Sequence, residues 1–182
     1  MDQMLLETQD VVAGGSMVHA YMGERTAAYS GDVDLFVAEA NVPRWRTLLE
    51  AAGYGFKPRT PRPRRAELAP DPNIDQRRRV NQQAEEHGYP GIGGIIELFD
   101  FQHPLDGRKV QLVSCLNPQE EPSSFDLSAA ATWYNGLTLQ TEMPHLTHRW
   151  YCVWLRADWA DCPRWPERQR KYDAKGCTML DD

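Results

Sequence analysis

The sequence predicts an α/β (α+β) fold: a small mixed sheet with flanking helices and a helix-rich cap at the C-terminus. Three observations lead there. Residues 32–37, Asp-Val-Asp-Leu-Phe-Val, alternate polar and apolar, the period of a half-buried strand. Residues 95–102 and 109–115 are two further strand-like runs, and Asp106-Gly107 between them is a common hairpin-turn pair. Trp45, Leu48, Leu49 and Ala52 recur at helical spacing just after Pro43, so a helix with one apolar face follows the first strand.

The remaining elements follow in order. Residues 4–13 start as a short helix or strand and run into Gly14-Gly15-Ser16. Ser16 is a good N-cap, because its hydroxyl accepts a backbone N–H, and it opens a helix over 16–22. The strand at 32–37 then carries Asp32 and Asp34 on one face. Gly53 and Gly55 end the helix that follows. The stretch KPRTPRPRRAELAPDPNIDQRRR is proline-rich, basic and nearly free of large apolar residues, the composition of an exposed insertion, placed at about 57–94. Too few apolar strands follow it for a second core, so the chain reads as one domain over 1–182. Phe125-Asp126-Leu127 is a short apolar-acid-apolar step, and the turn at Asn135-Gly136 leads to a strand at 137–139. Residues 145–177 are rich in aromatics, with Trp150, Tyr151, Trp154, Trp159, Trp165 and Tyr172, and are expected to form the helical cap.

Composition narrows the function classes. At 182 residues the chain is long enough for a sizeable core. No apolar run is long enough to span a membrane, and the start, MDQMLLETQD, lacks the basic and apolar stretches of a signal peptide. A cytoplasmic location is the expectation, in a host cytoplasm or a virion if the protein is viral. The four cysteines form no C-x-x-C pair and read as reduced, packing thiols. The net charge of −6 conceals a basic segment: Lys57, Arg59, Arg62, Arg64, Arg65, Arg77, Arg78 and Arg79 face only Glu67, Asp71 and Asp75. An acidic body with one basic segment suggests a local contact with nucleic acid or an acidic protein, rather than a general nucleic-acid coat. The segment has no aromatic platform for single strands. His145, His148, Cys152 and Cys162 invite a zinc reading, with His148 and Cys152 on one helix face, but their spacing fits no standard structural zinc pattern and aromatic packing is preferred. Arg168, Arg170, Lys171 and Lys175 near Tyr172 either face a phosphate chain or form the polar side of a last helix stopped by Gly176.

The stretch with most chemistry is VVAGGSMVHAYMGERTAAYSGDVDLFV, residues 11–37. A glycine turn at a helix N-terminus lets backbone N–H groups approach phosphate, helped by the helix dipole. Two carboxylates at i and i+2 on a strand point the same way and can share a divalent metal. The plain alternative is a tight turn followed by an ordinary strand.

Gly14-Gly15-Ser16 followed by Asp32-Val33-Asp34-Leu35 resembles the nucleotidyltransferase superfamily, whose core fold is shared with DNA polymerase beta. Arg25 and Ser30 before the aspartate pair are similar to antitoxin-linked and abortive-infection members. KVQLV, FDLSAAATWYNG and RQRKYDAKGC are similar to a lineage in fungi, large DNA viruses and phages, so the resemblance covers most of the chain outside the insertion. The gap from Ser16 to Asp32 is longer than the family pattern, with GERTAAY as added residues.

The resemblance implies a protein that binds NTP with Mg²⁺ (or Mn²⁺) and transfers a nucleoside monophosphate to an acceptor. That acceptor is left open between a nucleic-acid end, a protein hydroxyl and a small molecule. It assigns Gly14, Gly15, Ser16, Arg25 and Ser30 to the nucleotide, and Asp32 and Asp34 to metal and catalysis. The family's third carboxylate falls here on Gln111, an uncharged amide. Asp126 is the favoured substitute as the third catalytic acid. Glu97 and Asp100 are the other candidates, and strand alternation puts these two on opposite faces. The alternative is a catalytically degenerate protein of the same fold, serving as a viral or phage accessory or structural interaction protein. A third reading is a nucleic-acid binder that uses the basic insertion.

Overall fold

A computed structural model describes residues 1–14, 17, 32–58, 94–125, 127–153, 155, 165–174 and 176–180. Helix α1 (Asp2–Thr8) ends at Gln9 in a left-handed conformation, φ 56°, which turns the chain into strand β1 (Val11–Ala13). Strand β2 (Val33–Ala38) leads through a 3-10 turn (Glu39–Asn41) into helix α2 (Val42–Ala51). Then come β3 (Gly55–Lys57), β4 (Ile95–Gln102), β5 (Lys109–Cys115), a 3-10 turn (Glu121–Ser124), β6 (Thr132–Tyr134) and β7 (Leu139–Thr141). These seven strands form one sheet in the order β3-β4-β5-β2-β1-β6-β7. Only β2 and β5 run parallel; the other five pairings are antiparallel. The fold is therefore mixed α/β, with a mostly antiparallel sheet and few helices.

Both faces of the sheet are covered, which explains why β5 buries Val110 and Leu112 on one face and Val113 and Cys115 on the other. One face carries Val12, Leu35, Val37, Phe101, Val110 and Leu112 against Met4 and Leu5 of α1 and Val42, Trp45 and Leu49 of α2. The other carries Val11, Ala13, Phe36, Val113 and Cys115 against Phe125, Leu127, residues 129–131, Cys152, Tyr172 and Cys177. Cys115, Cys152 and Cys177 are free thiols, all buried.

A carboxylate sits fully inside this packing. Asp10 is 0% exposed, and its carboxylate accepts hydrogen bonds from Ala38 N (2.9 Å), the Trp45 indole N–H (2.6 Å) and the Asn41 amide (3.2 Å to each oxygen). A buried carboxylate is tolerated only when donors replace its lost hydration. Here three donor groups from β2, the 3-10 turn and α2 do so.

Several sequence expectations need correction. Pro43 does open α2, and Trp45 and Leu49 are buried, but Ala52 lies beyond the helix and is exposed, while Val42 completes the apolar face. The helix ends in a Schellman turn: Tyr54 N donates to Leu49 O (2.9 Å) and Gly53 N to Glu50 O (3.0 Å). The last described helix, Trp165–Asp173, stops in the same way at Gly176. Residues 55–57 form an edge strand that glycine signals had masked, and its pairing with β4 brings the chain back to the same sheet edge after the insertion. The strand expected at 137–139 lies at Leu139–Thr141, because the Asn135 side chain accepts the N–H groups of Leu137 and Thr138 and extends the turn.

The C-terminal part is not helix-rich among the described residues. It holds α3 (Pro144–Thr147), β8 (Tyr151–Cys152), α4 (Trp165–Asp173) and β9 (Thr178–Met179), with β8 and β9 paired in parallel. The shared helix face for His148 and Cys152 therefore does not exist: the helix ends at Thr147, both histidines are exposed, and Cys152 is buried in a strand. Cys162 lies outside the described residues. Among the described residues, no helix is long and apolar enough to cross a membrane.

Asp10→Asn should lower stability by about 2–4 kcal/mol, because its NH₂ group must face a donor and leave it unsatisfied. A urea midpoint measured against wild type checks this. Glu121 is 7% exposed and packs directly on Gly94, leaving no room there for a Cβ. Burial, and then the charge of Glu120, push its carboxyl up to about 7. The folded-state value lies above the unfolded one, so the native state holds a proton that the unfolded chain releases. Stability therefore falls as pH rises from about 4.5 to about 7. Glu121→Gln should remove that slope and leave the variant more stable above pH 7 by on the order of 1–3 kcal/mol. Thermal melts across pH 5–8 read it out.

Candidate functional site

The site grows from the antiparallel pairing of β1 with β2, which sets Ala13 opposite Asp34. Gly14 follows with φ +94°, a conformation that glycine adopts readily and most residues do not. Its N–H donates to Thr132 O (3.0 Å), its carbonyl accepts Met17 N (2.9 Å), and Met17 is helical; the rest of the helix expected over 16–22 lies outside the described residues. A Cβ on Gly14 would lie 3.1 Å from Asp34 Oδ2. The glycine turn and the second aspartate, twenty positions apart, thus touch.

Strand pairing extends a polar row from there. Asp34 is opposite Gln111 on β5, and Gln111 is opposite Asp100 on β4. All three side chains are partly buried. The Gln111 amide nitrogen donates to Asp100 Oδ1 at 3.0 Å. Phe36, Val113 and Leu98 continue the same face into the core beside them, so the row sits at the rim of an apolar layer. Asp32 lies just before β2 and is exposed. Its Oδ1 is 3.9 Å from Lys109 Nζ, with both side chains more than half exposed. A pair so open to solvent contributes little to stability. It does set a cation beside the aspartates.

The expectation that Gln111 occupies the position beside the aspartate pair agrees with this register. Asp126, the favoured third acid, lies outside the described residues. The acid that joins the row is Asp100, while Glu97 faces the other way with Phe99 and Phe101. Gly15, Ser16, Arg25 and Ser30 lie outside the described residues, as does the basic insertion from Arg59 to Gly93. Lys57 is exposed on β3. In α4, Arg170 donates to Pro166 O (3.0 Å), Lys171 is exposed and Tyr172 is buried; the Arg168 side chain lies outside the described residues. Lys175 is outside the described residues.

Lys109 was missed in the sequence, although the signal was present. It precedes Gln111 by two residues and so shares its face by strand alternation. What the sequence lacked was the parallel register that carries this face next to Asp32. Among the described residues, no group of three His, Cys, Asp or Glu side chains is placed to hold a metal ion. The strand register instead sets two carboxylates, Asp34 and Asp100, on either side of the Gln111 amide, with Asp32 just before β2; carboxylate and amide oxygens are ligands of the kind Mg²⁺ accepts alongside phosphate and water. Compared with known proteins, the chain matches no protein-family model and no curated protein.

Proposed function

We propose that this protein is a nucleotidyltransferase-like protein that binds NTP with Mg²⁺ and transfers a nucleoside monophosphate to an acceptor hydroxyl. The observation that carries this reading is the contact of the Gly14 turn with Asp34, where the space a Cβ would fill faces a carboxylate oxygen. The Gly14 N–H donates to Thr132 O, so the phosphate contacts are assigned to Gly15 and Ser16 after it, as the sequence resemblance implies. Asp32 and Asp34 are the metal-holding carboxylates, and the amide oxygen of Gln111 is the neighbouring neutral donor. A divalent cation bound there supplies the charge that neutralises the phosphate oxygens. Lys109 adds a positive charge on the Asp32 side. In the reaction the acceptor oxygen bonds to the α-phosphorus, the bond to the bridging oxygen of the β-phosphate breaks, pyrophosphate leaves, and the hydroxyl proton passes to solvent.

A second reading is a catalytically degenerate protein of the same kind, acting as an accessory or structural interaction protein. Gln111 favours it, because an amide stands beside Asp34 where a carboxylate would bind the cation more strongly. Native protein isolated in a stable complex without nucleotide or metal supports this reading. A tight stoichiometric complex with NTP and Mg²⁺ argues against it.

For the enzyme reading, Asp34→Ala should lower transfer from labelled NTP by roughly 100-fold or more with the fold retained, and Asp32→Ala should do likewise. Wild type that transfers and binds no more than these variants sinks the proposal. Gly14→Ala should weaken NTP binding by roughly tenfold, since it strains the turn by about 1–3 kcal/mol and crowds Asp34. Calorimetric titration with a non-hydrolysable NTP measures it.

A further inference from the structure

We propose that the 3-10 turn Glu121–Ser124 is a proton-controlled latch, which closes on Gly94 while the Glu121 carboxyl is neutral and opens once it ionises. Gly94 stands directly before β4, where the chain returns to the sheet after the basic insertion. Three contacts hold it there. Its carbonyl accepts the Leu116 N–H at 2.9 Å, just past the end of β5. Ile95 beside it pairs with Cys115 and is buried in the core. The third contact is the Glu121 carboxyl, which lies so close that a Cβ on Gly94 would collide with Oε1.

That last contact suits a neutral group and not a charged one. Glu121 is almost fully buried, and among the described residues no hydrogen-bond donor and no cation meets its carboxyl. The titratable groups facing it are Glu120 on its own turn and the buried Cys115 thiol on β5; Gly94 and Ile95 bring none. A carboxylate there has neither water nor a partner, and swinging out to solvent relieves it. Burial, and then the charge of Glu120, push the carboxyl up to about 7 in the closed turn, against 4.5 when it is free in water. Closure is therefore fully favoured below about pH 4.5 and weakens as pH rises to about 7. Two features keep the opening local. Ile95 stays anchored in the apolar layer, and the β4–β5 register shifts between Ile95 and Glu97, so the pairing beyond does not depend on Gly94.

The test is amide hydrogen exchange on the full chain, followed residue by residue by NMR from about pH 4.5 to about pH 8. The Leu116 amide, whose acceptor is Gly94, reports the latch, and Val113 within β5 reports the whole sheet. In wild type the Leu116 protection factor falls by about tenfold per pH unit until about pH 7 and then levels off. Low urea leaves it nearly unchanged while lowering that of Val113, the mark of a local opening beside a global one. Glu121→Gln cannot ionise, and the fall disappears. Glu120→Gln leaves the buried carboxyl in place, so the fall remains and ends at a lower pH. Leu116 protection that follows Val113 at every pH and urea concentration overturns the proposal, because only global unfolding then frees Gly94. So does a pH-dependent fall that survives Glu121→Gln. A Glu120→Gln variant that loses the fall overturns it as well, since the titrating group is then the other carboxyl.

Discussion

The buried carboxylate of Asp10 ties together the elements from which the rest of the protein is built. It leaves α1 through the left-handed Gln9, and it accepts hydrogen bonds from the end of β2, from Asn41 and from the indole of Trp45. Isolated in an apolar layer, such a charge is expensive. With its donors in place it becomes a constraint that only one arrangement satisfies. The Ala38 hydrogen bond anchors the start of β1 at the end of β2. That register carries Ala13 to Asp34 at the other end of the pair, and so puts Gly14 against the Asp34 carboxylate. The geometry of the candidate site is thus set some distance away, by a residue that takes no part in its chemistry.

The single parallel pairing in the sheet has a matching consequence. In a sheet built of hairpins alone, β2 and β5 would not lie side by side. The chain instead crosses from β2 through α2 to the far edge, returns along β4 and turns into β5, which lands parallel to β2. That crossover aligns Asp34 with Gln111 and Asp32 with Lys109, and the β4–β5 hairpin adds Asp100. Three strands contribute one polar residue each to a row at the rim of the apolar layer. Carboxylate, amide and carboxylate alternate across it, so the central amide separates two like charges while donating to one of them.

Local signals in the sequence were read where a residue's role depends on its near neighbours. Proline at 43 opens α2, alternation marks β2, strand-like runs mark β4 and β5, and Asp106-Gly107 makes the hairpin, with Asp106 accepting the Arg108 N–H at 3.1 Å. Alternation also separated Glu97 from Asp100. It failed at β3 and β7, whose three-residue lengths are too short for a period to register and whose pairing comes from strands elsewhere. The aromatic richness of the C-terminal segment suggests a helical cap, but it carries no sign of the partner that makes β8 a strand, namely β9 some twenty-five residues later.

By itself, the sequence determined the mixed α/β composition, the turn at Gly14, and the strand that carries Asp34 with Asp32 just before it. Each follows from backbone preferences and side-chain period, which act over a few residues. Tertiary structure alone decided that Asp10 is buried, that Gly14 touches Asp34, that Lys109 faces Asp32, and that Asp100 holds the Gln111 amide. These depend on strand order and register between segments tens of residues apart. A shift of one residue in any of those pairings would move every side chain of a strand to the opposite face.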